Sequence, residues 1–156
     1  MKRTINIIFA FLLTTLLCGC MGDIIVSHYE QVPDSEWHKD SALCFPFSAT
    51  DNAGLCDIGL NIRHNTTYPF QNIWLFTELF ADSTLLLTDT LEYFLADQRG
   101  VWLGNGSSRL RDMPCLWLKG IEIDEGKTYM ITVRQGMRED VLCGVESVGV
   151  TVKKTE

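Results

Sequence analysis

Basic residues are scarce in this sequence, and histidine and proline are scarcer. Against 20 Asp and Glu stand only 13 Lys and Arg, a formal net charge of −7, which leaves no electrostatic footprint for nucleic acid. The three histidines, His28, His38 and His64, include no pair at metal-ligand spacing. The six cysteines contain no C-x-x-C, so the pattern offers no zinc site. No serine sits in a nucleophile elbow, and the glycines at 100, 104 and 106 do not make G-x-G-x-x-G. Neither a metal nor a cofactor is expected. Past the first two dozen residues there is no apolar run long enough to cross a membrane, no internal repeat, no low-complexity stretch and no clear amphipathic helix.

What is present begins with an address. Lys2 and Arg3 form a positive n-region, and residues 7–17 an apolar h-region diluted by Thr14 and Thr15. The run Leu17-Cys18-Gly19-Cys20 resembles the lipobox of bacterial lipoproteins, a small residue before a Cys that is acylated and becomes the new N-terminus. An uncleaved anchor is the rival reading, because residues 4–22 carry no charge and spanning needs about 20 apolar residues. Asn6, two threonines and two glycines dilute that stretch, and its strongly apolar part is only of signal-peptide length. Cys20 is therefore the expected lipidation site. Several acyl chains, at about 0.8 kcal/mol per buried CH₂, would hold the protein stably in its membrane. Met21 rather than an acid follows the Cys, and only Asp23 is acidic before Val26. The expected location is the outer membrane, on its periplasmic face.

Loss of residues 1–19 would leave 137 of the 156 residues, enough for one core. Without Lys2 and Arg3, 11 basic residues face 20 acidic ones, a mature net charge of −9. Cys44, Cys56, Cys115 and Cys143 remain, an even number in an oxidising compartment. They admit disulfides, in three possible connectivities, or buried free thiols.

Period two dominates the mature chain. Cys56, Ile58, Leu60 and Ile62 alternate with Asp57, Gly59, Asn61 and Arg63, which puts His64 on the apolar face of that strand. Residues 73–80 read as a strand apolar on both faces, with Trp74 assigned to the core. Residues 128–135 alternate through Tyr129, Ile131 and Val133, and Val148, Val150 and Val152 form a closing strand. Residues 43–48 and 116–123 are further strands, the first an edge because of Pro46. Residues 90–97 fit strand or helix and are read as strand. Turn signals fall at 51–54, 65–67, 82–84 and 124–127, and Glu125-Gly126 predicts a tight hairpin. Residues 21–40 read as a polar tether, and 98–114 as a long Gly-rich connection of the kind usually kept for function. The organisation expected is a signal peptide over 1–19, lipidated Cys20 and tether over 20–40, and one mainly β domain over 41–156. Seven or so short strands indicate an antiparallel β-sandwich, jelly-roll-like.

Candidate chemistry is thin. Asp89 with Glu92, or Asp97 with Asp112, could be nominated as a glycosidase pair, but 20 acids offer many such pairs. His64 reads most simply as a structural residue making one hydrogen bond. Trp102 lies in the Gly-rich connection with Arg99, Arg109 and Arg111 near in sequence. Loop-borne Trp and Arg anchor partner surfaces and stack on sugars, while the simpler reading folds Trp102 back as a plug at the end of the sandwich. Asp40-Ser41-Ala42, Asp82-Ser83-Thr84 and Asp89-Thr90-Leu91 resemble the O-glycosylation motif of Bacteroidota, and each is also ordinary turn chemistry.

Longer stretches carry a resemblance. Asn61-Ile62-Arg63-His64 and residues 68–75 (Tyr-Pro-Phe-Gln-Asn-Ile-Trp-Leu) are similar to the GldH family, the gliding-motility lipoproteins of Bacteroidota. So are Asp89-Thr90-Leu91, Leu95-Ala96-Asp97 with residues 100–106, Met137-Arg138-Glu139-Asp140-Val141-Leu142, and the Gly144 to Val150 region. The resemblance covers nearly the whole mature chain. It implies a lipoprotein of the outer envelope needed for gliding and linked to the machinery that moves and secretes surface adhesins. It brings no catalytic residues, and the four cysteines lie outside its motifs. The expected role is a non-enzymatic accessory subunit whose loops dock on other envelope proteins. The docking surfaces expected are the Arg63-His64-Asn65 corner, the loop of Arg99 and Trp102, and the Met137-Arg138 turn. A carbohydrate-binding module is the alternative, and an envelope hydrolase a distant third.

Overall fold

A computed structural model describes residues 24–49, 54–107 and 109–155, and these are almost entirely antiparallel β-structure. The signal peptide, Cys20 and most of the 51–54 turn lie outside the described residues. In chain order the strands are β1 (Ile24–Gln31), β2 (Glu36–His38), β3 (Leu43–Ser48), β4 (Gly54–Asn65), β5 (Asn72–Ala81) and β6 (Thr84–Phe94). They continue with β7 (Asn105–Gly106), β8 (Leu110–Ile123), β9 (Thr128–Gln135), β10 (Val141–Cys143) and β11 (Val145–Lys154). One sheet has the order β1-β11-β4-β8-β7, a second β3-β9-β5-β6, and β2 pairs with β10 in a small ribbon.

The alternation in sequence is what closes the two sheets on each other. Ile58, Leu60 and Ile62 of β4 and Val148, Val150 and Val152 of β11 are buried against Leu75 and Leu79 of β5 and Ile131 and Val133 of β9. Each strand thus places every second side chain in one shared core. The mainly β sandwich expected from the sequence is the fold found. Pro46 lies, as expected, in an edge strand, since β3 pairs only with β9. Residues 84–94 are strand, in favour of the β reading of the ambiguous segment.

Four expectations are corrected. Residues 24–38 are not tether: β1 runs along β11 from Ile24↔Lys153 to Gln31↔Ser147, and β2 along β10. The apolar partners on β11 recruited a segment whose own pattern is too polar to announce a strand. The Glu125-Gly126 turn is not a hairpin, because β8 pairs with β4 while β9 pairs with β5 and β3. The positive φ of Gly126 (78°) serves instead a corner between sheets, held by its N–H donating to the Ala49 carbonyl at 2.9 Å. Trp74 is 38% exposed on the outer face of β5, because Ile73, Leu75 and Thr77 take the inward phase. The connection before β8 is shorter than 98–114, since β8 begins at Leu110 and Asn105 already pairs with Asp112. The true two-residue hairpin is Asp82-Ser83, with φ of 46° and 67° at its two central positions.

Candidate functional site

His64 is the last inward residue of β4, and the alternation that buries Leu60 and Ile62 buries it completely. Its Nδ1 lies 3.1 Å from the Asn65 carbonyl, which can only accept, so Nδ1 carries the proton. Nε2 is then a bare acceptor, and it has no partner among the described residues. Burial pushes the His64 pKa down, so the ring is neutral. Two aromatic rings close over it: Trp102 at 4.7 Å between centroids and Tyr68 at 5.7 Å.

Trp102 is brought there by a loop that is tied to itself. Its backbone bridges Ala96, Leu103 N–H donates to the Leu95 carbonyl, and Asp97 N–H donates to the Val101 carbonyl. The Asp97 carboxylate accepts from the backbone N–H groups of Arg99 and Val101, each at 2.9 Å. Those bonds hold its pKa below the usual carboxylate range. Arg99 is exposed, and its guanidinium reaches only Asp97, at 3.2 Å.

Arg63 and His64 do not form a common corner. Successive residues of a strand face opposite ways, so Arg63 points outward, donating to both carboxylate oxygens of Asp112 at 2.8 and 3.2 Å. Its guanidinium carbon stands 5.8 Å from the Tyr29 ring centroid. Asn65 is likewise occupied, donating to Glu146 at 2.6 Å and accepting from Thr67.

The Met137-Arg138 turn borders an open cavity of about 400 Å³ lined by Phe70, Asn72, Trp74, Met137, Arg138 and Glu139. Gln135 fixes this turn, accepting from Met137 N–H and donating to the Glu139 carbonyl, both at 2.8 Å. Phe70 packs edge-on to Tyr68 at 6.0 Å, so Tyr68 and Phe70 join the Trp102–His64 cluster to the Met137–Arg138 cavity. Gly144 permits this approach: at φ 89° a side chain there would stand 2.6 Å from the Tyr68 nitrogen. The Trp102 loop, the end of β4 and the Met137 turn therefore meet at one end of the sandwich. Ile24 is at the other end: it pairs with Lys153, which pairs with Asp57, seven residues before His64 on β4. That separation is roughly 23 Å at the usual rise of a strand.

Tyr68, Phe70 and Trp74 were not expected in this site. The signal was available for Trp74 in the two apolar phases of β5, but only the packing of β9 and β6 decides which phase turns outward.

The nominated carboxylates do not converge. Asp89 and Glu92 lie on opposite faces of β6; Trp117 Nε1 approaches Asp89 at 3.4 Å, and Asn72 donates to Glu92 at 2.6 Å. Asp97 is enclosed by its loop and Asp112 by Arg63. The four described cysteines are free thiols, Cys56 and Cys115 buried and Cys44 and Cys143 exposed, so none of the three possible pairings is formed. Desolvation pushes the Cys115 pKa up to about 12.

The model of one protein family, GldH lipoprotein, matches residues 24–152. The chain is 31% identical over 157 residues to the gliding motility lipoprotein GldH homolog of Christiangramia forsetii, covering 96% of each. It is 28% identical over 148 residues to the gliding motility lipoprotein GldH of Flavobacterium johnsoniae, covering 90% of this chain and 91% of that one. Among solved structures, the CBM35 from Cellvibrio japonicus Abf62 aligns with 88% of this chain and 94% of its own, at 10% identity and a TM-score of 0.40. That overlap is too slight for any functional argument. Matched across the whole described sandwich, and along nearly their full length by two relatives, these 156 residues belong to the GldH lipoprotein family.

Proposed function

We propose that this chain is a non-enzymatic accessory subunit of the gliding-motility machinery and of the secretion of surface proteins linked to it. Acylated Cys20 holds it in the outer membrane, on the periplasmic face, and the end of the sandwich remote from Ile24 docks on other envelope proteins. The observation that carries this reading is the gathering of Trp102, Tyr68, Phe70, Trp74, Met137 and Arg138 at that one end. Aromatic residues, Met and Arg are the types enriched at the cores of protein interfaces. Both curated relatives bear gliding motility in their names. The carboxylates engaged in structural bonds supply no acid–base pair for hydrolysis.

Phenotype tests it. Trp74→Ala and Arg138→Glu, both at exposed side chains, are expected to abolish gliding, or surface-protein secretion in a strain that does not glide. Lipoprotein abundance and thermal unfolding should stay at wild-type values. Full function of the double variant would refute the docking role.

Glycan binding is the second reading, and Trp74 favours it: an exposed indole beside an open cavity is a stacking platform for a sugar ring. Trp102, packed against His64 and Tyr68, is a poorer platform. Binding on a glycan array that Trp74→Ala removes would support this reading; an array without signal would reject it.

A further inference from the structure

The two large sheets end in four edge strands, and three are blunted in recognised ways. β7 has two residues, β3 carries Pro46, and β1 has a register irregularity between Ile24 and Val26. β6 is different. It is 11 residues long, contains no Lys, Arg or Pro, and among the described residues pairs only with β5. Leu86 is an extra residue at a bulge, since Leu79 pairs with Leu87 and Phe80 with Leu85; the pairing from Leu87 to Phe94 is regular. Every second residue of such an edge turns its N–H and C=O away from its one neighbour. The core also stops short there. Ile73, Leu75 and Leu79 of β5 are fully buried, while Tyr93, Leu91 and Leu87 opposite them on β6 remain half-exposed, and Phe94 is 59% exposed.

We infer that β6 pairs antiparallel with β6 of a second copy of this chain, centred on Thr90, joining the two four-stranded sheets into one of eight strands. The sequence of β6 is complementary to itself in that register. Leu87 faces Tyr93 of the second copy, Thr88 faces Glu92, Asp89 faces Leu91, and Thr90 faces Thr90. No acid meets an acid, and the half-exposed apolar residues meet across the seam. Sliding the centre by one residue to Asp89 would set two carboxylates directly opposite, which is destabilising. In the paired form the ends carrying His64 and Trp102 point away from each other, so docking there stays open.

Disulfide trapping in intact cells tests this on the full lipoprotein, with Cys44→Ser and Cys143→Ser removing the exposed thiols. Thr90→Cys is expected to give a covalent dimer under mild oxidation. Thr88→Cys alone should not, and Thr88→Cys with Glu92→Cys should. Pro46→Cys on the β3 edge measures chance collision, and trapping at 90 should be faster by about tenfold or more, because pairing raises the local thiol concentration. Equal rates at 46 and 90, or no dimer at 90 with the lipoprotein at normal abundance, would overturn the proposal. An adduct at 90 with a different protein would also overturn it and make the occupant of this edge a foreign strand.

Discussion

The indole of Trp102 lies across the imidazole of His64, their centroids 4.7 Å apart and their planes inclined at 59°. The pair joins a half-exposed loop to a fully buried strand end, so the loop's position is set by the core and not by solvent. Trp102 is therefore a lid as well as a candidate contact. Trp102→Ala should lower stability by roughly 1–3 kcal/mol, less than a fully buried Trp would. It should also return the His64 pKa toward its ordinary value by letting water reach Nε2. Urea unfolding and an NMR titration of His64 measure both effects. An unchanged titration would place the indole elsewhere in solution.

The same burial makes stability depend on pH. The folded pKa of His64 lies below its ordinary value of 6.5, so the unfolded chain takes up the proton first. Stability should be full above about pH 6.5 and fall as the pH drops from there toward the depressed folded value. Asp57 and Asp97 are also lowered, from 3.8, and their contributions are lost only as the pH falls below that value. Unfolding midpoints between pH 7.5 and 4.5 therefore isolate His64. His64→Gln should flatten the curve in that window.

Thiol chemistry should separate the cysteines into two pairs. A maleimide applied to the native domain should label Cys44 and Cys143, which are exposed, and spare Cys56 and Cys115, which are buried. Cys115 is protected twice, by burial and by a pKa near 12 that leaves almost no thiolate at neutral pH. Denaturant should expose all four. Mass spectrometry of the labelled protein counts the adducts, and a disulfide would appear as two thiols missing even after unfolding.

At the β5–β6 hairpin, Ser83 sits at φ 67°, where a Cβ is unfavourable and Gly is not. Ser83→Gly should stabilise the domain by about 0.5–1 kcal/mol. Asp82 should be left alone, because its carboxylate accepts from Thr128 N–H at 3.1 Å and so ties the turn to β9. Thermal unfolding of the single variant is the check.

Most of the sandwich was legible because β4, β9 and β11 alternate strictly, and alternation is a local property. β1 was not legible. Its residues become a strand through the apolar edge of β11, which lies more than a hundred residues away in sequence. The Glu125-Gly126 turn failed for a related reason: its glycine announces a reversal of the chain, but not whether the strands that meet there share a sheet. In the site, His64 was placed correctly by parity from Ile62, and the same parity separates it from Arg63. Trp74 could not be placed, since both faces of β5 are apolar and the inward one is chosen by β9 and β6. Tyr68 and Phe70 follow Asn65 in a turn without period, so nothing in their pattern marks them as the link between two loops.

The central claim is that one end of the sandwich docks on envelope proteins. It is tested most directly by photo-crosslinking in intact cells, with the probe placed at Arg138 in one strain and at Lys153, near the opposite end, in another. Mass spectrometry of the captured complexes should recover proteins of the motility or secretion machinery with the probe at 138 and not at 153. Recovery of only abundant envelope proteins from both positions would contradict the account.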